Sequence, residues 1–335
     1  MTTLGVIGLG RIGAFHVDTL SGLDGIDRLV VADERPDVVA AVAAKHGATP
    51  ADSVEDLLDS GVDGVVVAAA TPAHAELTLA AVHRGLPTFC EKPIAATAAE
   101  SAHVATVIAK AGVPVQVGYQ RRFDVAFAAA KQAVDSGALG PLHTVRSTTM
   151  DPSPPPMEYI AGSGGIFRDC AVHDFDVLRW ITGQNAVEVY ATGTNQGDPR
   201  FAQYGDVDTA AVVVKFDGGA MGIVSAARYN ARGYDCRLEV HGFHDTVVAG
   251  WDQGVPMRNT DPHNDFPTGP YHHFFMDRFT DAFRAELAGF VSVVKGEAIP
   301  GATVADAVEV AWLAEAATES LRRGTPVRIE EVRNA

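Results

Sequence analysis

The stretch LGVIGLGRIGAFHVDTL, residues 4–20, decides the fold of the first part of the chain. A short apolar run is followed by Gly8, Gly10 and Gly13, and then by residues with helical spacing. Glycines at this spacing permit a tight turn, close approach of the backbone to a pyrophosphate, and close contact between a helix and a strand. The pattern predicts a strand, a glycine-rich loop and a helix that together bind a dinucleotide.

The next apolar run, RLVVAD, ends at Asp33, 20 residues after Gly13. A carboxylate at this position accepts hydrogen bonds from a ribose 2′-hydroxyl and repels a 2′-phosphate. The sequence therefore favours NAD over NADP, while the nearby Arg35 is the residue type that could accommodate the extra phosphate.

Strand and helix patterns alternate through the first 120 residues, which predicts an α/β domain, a Rossmann doubly wound parallel sheet. Ligands of such a sheet bind beyond the carboxyl ends of its strands. The candidate cofactor-binding residues lie in the glycine loop or at such strand ends: Gly8, Gly10, Arg11, Ile12, Gly13, Asp33, Thr71, Pro72, His74, Glu91 and Lys92.

Length and charge narrow the classes of protein that remain. The chain has 335 residues, which suits two domains, and 26 Lys and Arg against 42 Asp and Glu give a formal net charge of −16. An acidic surface repels nucleic-acid phosphates and anionic lipid, so neither nucleic acid nor a membrane is expected as a partner. Three widely spaced cysteines and the lack of a basic leader predict a cytoplasmic location.

The pattern changes after residue 120, and we predict a first domain over residues 1–120 and a second over 121–335. Segments rich in Val, Ala, Ile and Tyr predict an antiparallel sheet. The chain ends in a helical pattern, and the sequence leaves open whether this helix packs back on the first domain. The predicted strands are 142–150, 187–194, 209–216, 219–228 and 235–242.

The stretch GGIFRDCAVHDFDVLRW, residues 164–180, concentrates acids and a histidine. We predict a helix over 168–182, in which Asp169 and His173 are four residues apart and share one face. An imidazole can take the proton of an alcohol that loses a hydride, and a carboxylate one turn earlier can orient it. Lys92, followed by a proline, could bind the same oxygen.

Two other interpretations of this stretch compete with the catalytic one. Asp169 and His173 could bind a divalent metal with Asp174 or Asp176, but those acids point to other helix faces and no second cluster completes a ligand set. The acids could also form an ordinary salt-bridged helix surface. We therefore predict that the site holds no metal.

Five motifs in order, the glycine loop, ATPAHAE, EKPIA, VGYQRRFD and GGIFRDCAVHDFDVLRW, resemble those of the Gfo/Idh/MocA oxidoreductases, most closely the inositol dehydrogenase branch. The resemblance implies a C-terminal α+β domain with an open, mostly antiparallel sheet that serves oligomerisation, as a dimer or tetramer. It also implies a catalytic set of Lys92, Asp169 and His173, and a Lys92–Pro93 peptide bond that is cis in relatives.

The same resemblance implies an NAD-dependent dehydrogenase that oxidises a secondary hydroxyl of a cyclitol, foremost myo-inositol to 2-keto-myo-inositol. A different pyranose sugar, a cyclitol of secondary metabolism, or a non-catalytic NAD-binding sensor are the alternatives. A polyol or sugar needs a pocket lined with hydrogen-bonding groups. The candidate substrate-binding residues are Gln120, Arg121, Asp151, Tyr159 and Tyr234.

Overall fold

A computed structural model describes residues 2–263 and 269–335 of the chain. The chain divides into two compact units, each with its own sheet. The first unit comprises Met1–Phe123 and Asp281–Val308, and the second comprises Asp124–Thr280 and Glu309–Ala335.

The sequence-based boundary at residue 120 lies close to the end of the first segment of the first unit. The prediction placed residues 281–308 in the second domain, whereas the structure groups them with the first unit. Apolar spacing marks the buried face of a helix but carries no information about which core that face completes.

The elements up to residue 123 alternate between strand and helix, as predicted. In chain order they are β1 (Thr3–Ile7), α1 (Arg11–Ser21), β2 (Arg28–Ala32), α2 (Pro36–His46), β3 (Thr49–Pro50), α3 (Val54–Leu58), β4 (Gly64–Val67), α4 (Thr71–His83), β5 (Thr88–Glu91), α5 (Ala98–Ala111), β6 (Val115–Gly118) and a 3₁₀ helix, Gln120–Phe123.

The segment from 124 to 280 carries most of the second sheet. Its elements are α6 (Val125–Asp135), β7 (Leu142–Met150), α7 (Met157–Ser163), α8 (Ile166–Asp169), α9 (Val172–Thr182), β8 (Ala186–Thr194), a 3₁₀ helix (Pro199–Tyr204), β9 (Thr209–Phe216), β10 (Met221–Ala227), β11 (Asp235–Gly242), β12 (Thr246–Ala249) and α10 (Phe275–Arg278). The remaining elements are α11 (Thr280–Val294), α12 (Val304–Arg323), β13 (Val327–Arg328) and α13 (Ile329–Arg333).

The first unit holds a parallel sheet with the strand order β3-β2-β1-β4-β5-β6. This order reverses direction between β1 and β4, which makes the carboxyl ends of these strands the expected ligand crevice. Strands β4, β5 and β6 are buried along their whole length, as is usual for the strands of a parallel sheet. The predicted Rossmann sheet is confirmed.

Helix α11 completes the core of the first unit, although it lies far along the chain. Its Leu287 and Phe290 are fully buried and belong to the same apolar cluster as Leu4, Val6 and Phe89 of the sheet. The Phe89 and Phe290 rings meet edge to face, 5.8 Å between centroids. The first unit therefore depends on a segment that follows most of the second unit in sequence.

The second unit holds a sheet with the strand order β12-β11-β7-β10-β9-β8-β13. Its pairs are antiparallel except for β7 and β10, which run parallel with Met150 opposite Ala227. The predicted mostly antiparallel sheet is thus confirmed. The parallel pair has a local consequence, because both strands end on the same side of the sheet. The residues that follow them, Asp151 and Arg228, therefore lie at the same end of the sheet.

The predicted helix over 168–182 is wrong in one respect, since the structure contains two helices there, α8 and α9. The amide of Ala171 bonds to the carbonyl of Ile166, five residues back, and the amide of His173 bonds to that of Cys170, three residues back. The regular four-residue ladder is interrupted at this point. Asp169 ends α8 and His173 lies in the first turn of α9, so the two do not share the face of one continuous helix.

Within the described residues, the search for a helix with the length and apolar character of a membrane span finds none.

Candidate functional site

The glycine loop after β1 is built on close backbone contacts. Gly8 has a φ of +89°, and a Cβ there would lie 2.5 Å from the backbone of Ala69. A Cβ at Gly13 would lie 1.9 Å from the carbonyl oxygen of Gly8. Gly10 differs, because a Cβ there would meet nothing within 4 Å. Two glycines thus permit packing, and the third faces open space beside the loop.

Helix α1 presents its amino end at this open space. Gly10 is its N-cap residue, and among the described side chains none caps the helix there. The amides of Arg11, Ile12 and Gly13 therefore begin the helix with the partial positive charge of its dipole. A pyrophosphate fits such an end, where N–H groups and room for phosphate oxygens occur together.

Asp33 lies at the end of β2 and holds the loop from the other side. Its Oδ2 accepts a hydrogen bond from the amide of Leu9 at 2.6 Å, and its Oδ1 accepts one from Nε of Arg35 at 2.9 Å. Burial raises the pKa of Asp33, but the hydrogen bonds from Arg35 and Leu9 outweigh burial and lower it. The carboxylate stays ionised, which suits a ribose hydroxyl and disfavours a 2′-phosphate. These residues fit NAD.

The end of β5 carries a second charged group of the first unit. Nε2 of His16 lies 2.6 Å from Oε1 of Glu91, and the amide of Lys92 donates to Oε2 of Glu91 at 3.2 Å. Burial raises the pKa of Glu91, yet His16 and the nearby Lys92 and His74 together lower it. An ionised Glu91 therefore fixes the backbone from which the Lys92 side chain extends. The Lys92–Pro93 peptide bond is cis, as the resemblance implied.

Of the other candidates of the first unit, three are buried, whereas Thr71 is half-buried and Pro72 is exposed. Thr71 and Pro72 form the first turn of α4, and His74 follows with 2% of its surface exposed. Gln120 and Arg121, at 3% and 1% exposed, start the 3₁₀ helix that follows β6. All of them lie at or just beyond the carboxyl ends of strands, where the sequence reasoning expected them.

The second unit contains a cluster centred on Asp169. The hydroxyl of Tyr159 donates to Oδ1 of Asp169 at 2.9 Å, and Nη1 of Arg228 donates to Oδ2 at 3.0 Å. Arg228 is fully buried, and its Nη2 lies 3.8 Å from a carboxylate oxygen of Asp206. Both oxygens of Asp169 are therefore held in fixed directions by donors from two different elements.

Residues at the carboxyl ends of the parallel strands β7 and β10 supply the rest of this cluster. The thiol of Cys170 donates to Oδ2 of Asp151 at 3.3 Å, and Nη1 of Arg228 donates to Sγ of Cys170 at 3.3 Å. Tyr159 is about half exposed, but the partial desolvation of its hydroxyl and the adjacent Asp169 carboxylate raise the pKa of Tyr159, so its hydroxyl remains a donor. Burial lowers the pKa of Arg228, but Cys170 and the acids outweigh it, and the guanidinium stays charged.

Helix α9 carries His173 and is a core helix. The hydroxyls of Ser147 and Thr149 on β7 donate to Oδ1 of Asp174 at 2.5 and 2.8 Å, so Asp174 fastens α9 to the sheet. Asp174 and Asp176 are both buried, which excludes the interpretation of this stretch as a solvated helix surface. In the described part of the chain, the search for groups of three or more metal-ligating side chains finds none.

Tyr234, the last predicted substrate residue, is 3% exposed. Its ring contacts that of Phe279 edge to face at 6.3 Å, and its amide bonds to the carbonyl of His272 at 2.7 Å. These contacts are those of a packing residue. Its predicted part in substrate binding stays a prediction.

Sequence reasoning missed several residues of these clusters, among them Arg228 and His16. Arg228 is the last residue of the predicted strand 219–228 and follows the observed β10, and a cation there was the available signal, but no motif connects it to Asp169. His16 lies inside the quoted first stretch, and its partner Glu91 is 75 residues away. Pairs at such separations cannot be inferred from spacing along one element.

The glycine loop with Asp33 and the Asp169 cluster define a dinucleotide-dependent oxidoreductase. Comparison with known proteins agrees. Residues 2–119 match the model of an oxidoreductase family with an NAD-binding Rossmann fold, and residues 127–248 match the Gfo/Idh/MocA C-terminal domain. The chain belongs to the Gfo/Idh/MocA oxidoreductase family, and its cofactor is NAD.

Relatives extend over nearly the whole chain. A myo-inositol 2-dehydrogenase of Thermotoga maritima is 37% identical over 331 residues, which cover 98% of this chain and 99% of the relative. An inositol 2-dehydrogenase of Rhizobium meliloti is 34% identical over 97% of this chain and 98% of its own. The crystal structure of scyllo-inositol dehydrogenase from Lactobacillus casei with NAD(H) and scyllo-inositol is similar with a TM-score of 0.90, at 26% identity over 98% of this chain and 99% of that one.

Proposed function

We propose that this protein oxidises a secondary hydroxyl of a cyclitol with NAD, with myo-inositol converted to 2-keto-myo-inositol as the principal reaction. The observation that carries the proposal is the Asp169 cluster, in which Tyr159 and the buried Arg228 fix both oxygens of an acid just before His173. Near full-length similarity to proteins named inositol dehydrogenases supports the substrate class.

We assign His173 as the base, Asp169 as the acid that supports it, and Lys92 as the group that binds the reacting oxygen. Bound NAD supplies the hydride acceptor. His173 takes the hydroxyl proton, for which an imidazole is suited because its ordinary pKa lies near neutrality. Lys92 donates to the oxygen as its negative charge develops. Gln120, Arg121, Asp151 and Tyr234 remain proposed recognition residues for the other hydroxyls.

A panel of cyclitols and pyranoses tests the reaction. We expect reduction of NAD, followed by absorbance, to be fastest with myo-inositol and slower with epimers and aldoses. Turnover with a pyranose but with no cyclitol would overturn the substrate class. NAD binding without turnover of any polyol would instead identify a non-catalytic sensor.

Substitution of the base tests the assignment of roles. His173→Ala should lower kcat by about 10²–10⁴-fold, which is the usual contribution of a positioned base. The NAD affinity should be retained. His103→Ala, an exposed histidine on α5, serves as the matched control and should leave kcat unchanged. Near-wild-type turnover of His173→Ala would exclude it as the base.

Asp33→Ser tests the choice of cofactor. Loss of the ionised carboxylate removes the repulsion of a 2′-phosphate and frees Arg35, so the ratio of kcat/KM with NADP to that with NAD should rise about tenfold, as a contact energy of roughly 1.4 kcal/mol implies. Asp52→Ser, an exposed acid before α3, is the control. An unchanged ratio in Asp33→Ser would show that this carboxylate does not govern the preference.

We further propose that the protein is a homo-oligomer, a dimer or tetramer, formed through the outer face of the second sheet. Paired residues form a row across that face, and its apolar members Tyr190, Val213 and Val248 are 41%, 37% and 52% exposed. Between them the row contains Ile223 and the ion pair of Arg146 with Glu239 at 3.3 Å. Exposed apolar side chains at neighbouring positions mark an interaction surface.

Light scattering of two variants tests this surface. Val213→Lys places a charge in the middle of the row and should reduce the oligomer to monomers. Val125→Lys changes a residue that is 82% exposed at the start of α6, outside the sheet, and should leave the assembly intact. An oligomer that survives Val213→Lys would place the interface elsewhere.

A cytoplasmic location is also proposed. Cys90, Cys170 and Cys236 are free thiols that are all buried, which agrees with a reducing compartment. Fractionation of cells that express the tagged chain tests it, and recovery with an exported fraction would contradict it.

A further inference from the structure

His74 sits in the first turns of α4 with both ring nitrogens facing backbone carbonyl oxygens. Nδ1 lies 2.7 Å from the oxygen of Pro93, and Nε2 lies 2.9 Å from the oxygen of Ala69. The side chain is 2% exposed, so the ring is shielded from bulk water. These two contacts determine its protonation, because a carbonyl oxygen only accepts hydrogen bonds.

A neutral imidazole carries one N–H and one bare nitrogen. In either tautomer a bare nitrogen would face a carbonyl oxygen at hydrogen-bond distance, and two lone pairs would repel each other in a site with little water. Only the doubly protonated ring satisfies both contacts. The geometry therefore selects an imidazolium.

The charged neighbours of His74 agree with this state. Burial lowers the pKa of His74, but Cys90 and the carbonyl oxygens of Pro93 and Ala69 raise it to about 9. Glu91, at the end of β5, is the ionised acid whose charge interacts with the ring, and its own pKa is lowered by His16 first and also by His74. The imidazolium is present below the raised pKa and is lost as the pH rises through about 9.

The two carbonyl groups that the His74 ring contacts belong to two segments, one that carries Lys92 and one that packs against the glycine loop. Pro93 follows Lys92 directly, and the amide of Lys92 is already held by Glu91. Ala69 follows β4, and its backbone lies so close to Gly8 that a Cβ on the glycine would be 2.5 Å away. The ring thus connects the segment that carries the amine to the segment that contacts the glycine loop.

We propose that His74 is a positioning residue that is held as an imidazolium and sets the place of Lys92 relative to the glycine loop. The proposal rests on the proposed function in so far as Lys92 binds the reacting oxygen. A ring with both nitrogens engaged by backbone and almost no exposure neither exchanges protons with a substrate nor donates to the cofactor. Its contribution passes through the backbone of Pro93.

A direct measurement on the wild-type protein tests the charge state. In long-range ¹⁵N–¹H spectra of the apoprotein and of the NAD complex, we expect both ring nitrogens of His74 to carry protons at pH 7 and one proton to be lost only near pH 9. Assignment uses the His74→Gln spectrum or, if that variant does not fold, His74→Asn. A ring with a single protonated nitrogen at pH 7 overturns the inference.

Kinetics of a double-mutant cycle test the positioning role. His74→Gln keeps polarity but cannot donate to both carbonyl groups, and it should lower kcat about 10–100-fold, as misplacement of a catalytic group by about 1 Å does. The NAD dissociation constant should stay within about threefold, because the loop and Asp33 are intact. His83→Gln, the same substitution at the exposed end of α4, is the control and should change neither.

The cycle with Lys92→Ala separates positioning from general structural damage. If His74 acts through Lys92, then adding His74→Gln to Lys92→Ala should cause almost no further loss of kcat. A full second loss in the double variant would overturn the positioning role. Absence of polyol turnover in the wild type would overturn the proposed function instead, and the ring spectra would still decide the charge state.

Discussion

The two functional clusters of this protein use buried charge in different ways. In the first unit, Asp33, Glu91 and His74 each bond to backbone groups, namely Leu9, Lys92, Pro93 and Ala69. Asp33 and Glu91 have one side-chain partner each in addition, Arg35 and His16. In the second unit, Asp169 is held by the side chains of Tyr159 and Arg228. The first cluster shapes the course of the chain around a cofactor, whereas the second fixes side chains relative to one another.

This difference has a thermodynamic consequence. A carboxylate that bonds to backbone amides keeps those partners when a neighbouring side chain is replaced, because backbone amides are present in any sequence. A carboxylate that depends on a buried guanidinium has one charged partner that a single substitution can remove, and the remaining charge is then uncompensated. The second cluster should therefore be the more sensitive of the two to a point substitution.

Arg228→Met gives the largest expected effect. It leaves Asp169 and Asp206 without their buried cation, and the free energy of unfolding should fall by about 3–5 kcal/mol in urea denaturation. Arg200→Met removes an exposed arginine that pairs with Asp198, and its midpoint should match that of the wild type. Equal stability of the two variants would break the comparison between the clusters.

Two alanine variants distinguish packing from cofactor space in the glycine loop. Gly13→Ala places a Cβ against the carbonyl of Gly8 and should destabilise the apoprotein by about 1–3 kcal/mol. Gly10→Ala meets nothing and should leave the apoprotein melting temperature unchanged while weakening NAD binding at least tenfold. Calorimetry and a binding titration measure both quantities. Unaltered NAD affinity in Gly10→Ala would show that the phosphates lie elsewhere.

Glu91→Gln sharpens the comparison through pH dependence. The pKa of Glu91 is lowered in the fold, so its stabilisation is complete above its ordinary value of 4.5 and is lost as the pH falls through the lowered value. The melting temperature of Glu91→Gln should therefore fall less steeply in acid than that of the wild type. The corresponding slopes of the free energy of unfolding against pH should differ by at most one proton, about 1.4 kcal/mol per pH unit. Glu297→Gln, an exposed control, should keep the wild-type slope. Identical slopes for wild type and Glu91→Gln would contradict the lowered pKa.

Tyr159→Phe gives the smallest expected effect. It removes one donor from Asp169 at a residue that is 51% exposed, so water can replace the hydroxyl, and the loss should be about 1 kcal/mol. Tyr204→Phe, 46% exposed in the same unit, is the matched control for loss of a phenol hydroxyl. A loss in Tyr159→Phe as large as that in Arg228→Met would show that the hydroxyl, rather than the guanidinium, carries the cluster.

The difference between the two clusters also explains how much of the fold and of the site the sequence could predict. The glycine loop, Asp33 and the strand ends follow from local rules, because spacing along one βα unit sets the geometry. Composition predicts where most strands of the second sheet lie, but it does not predict how they pair. The parallel pairing of β7 with β10 brings Asp151 and Arg228 to the same end of the sheet.

The remaining features needed long-range information. The break between α8 and α9 depends on backbone bonds of Ala171 and His173 that no residue preference announces. The partners of Asp169 and Glu91 come from distant segments, and the helical pattern after residue 280 does not reveal which core it completes. Motif resemblance supplied the roles of Lys92, Asp169 and His173, which remain proposals.

Helix α11 has a consequence for synthesis of the protein. The core that contains Leu4 and Phe89 is closed by Leu287 and Phe290. A ribosome releases those residues only after strands β7 to β12 of the second sheet, so the nascent amino-terminal segment remains with an open apolar face until then. A gene truncated at residue 123 should yield an insoluble product, and splicing this cofactor module onto another protein would require residues 281–308 to be carried along.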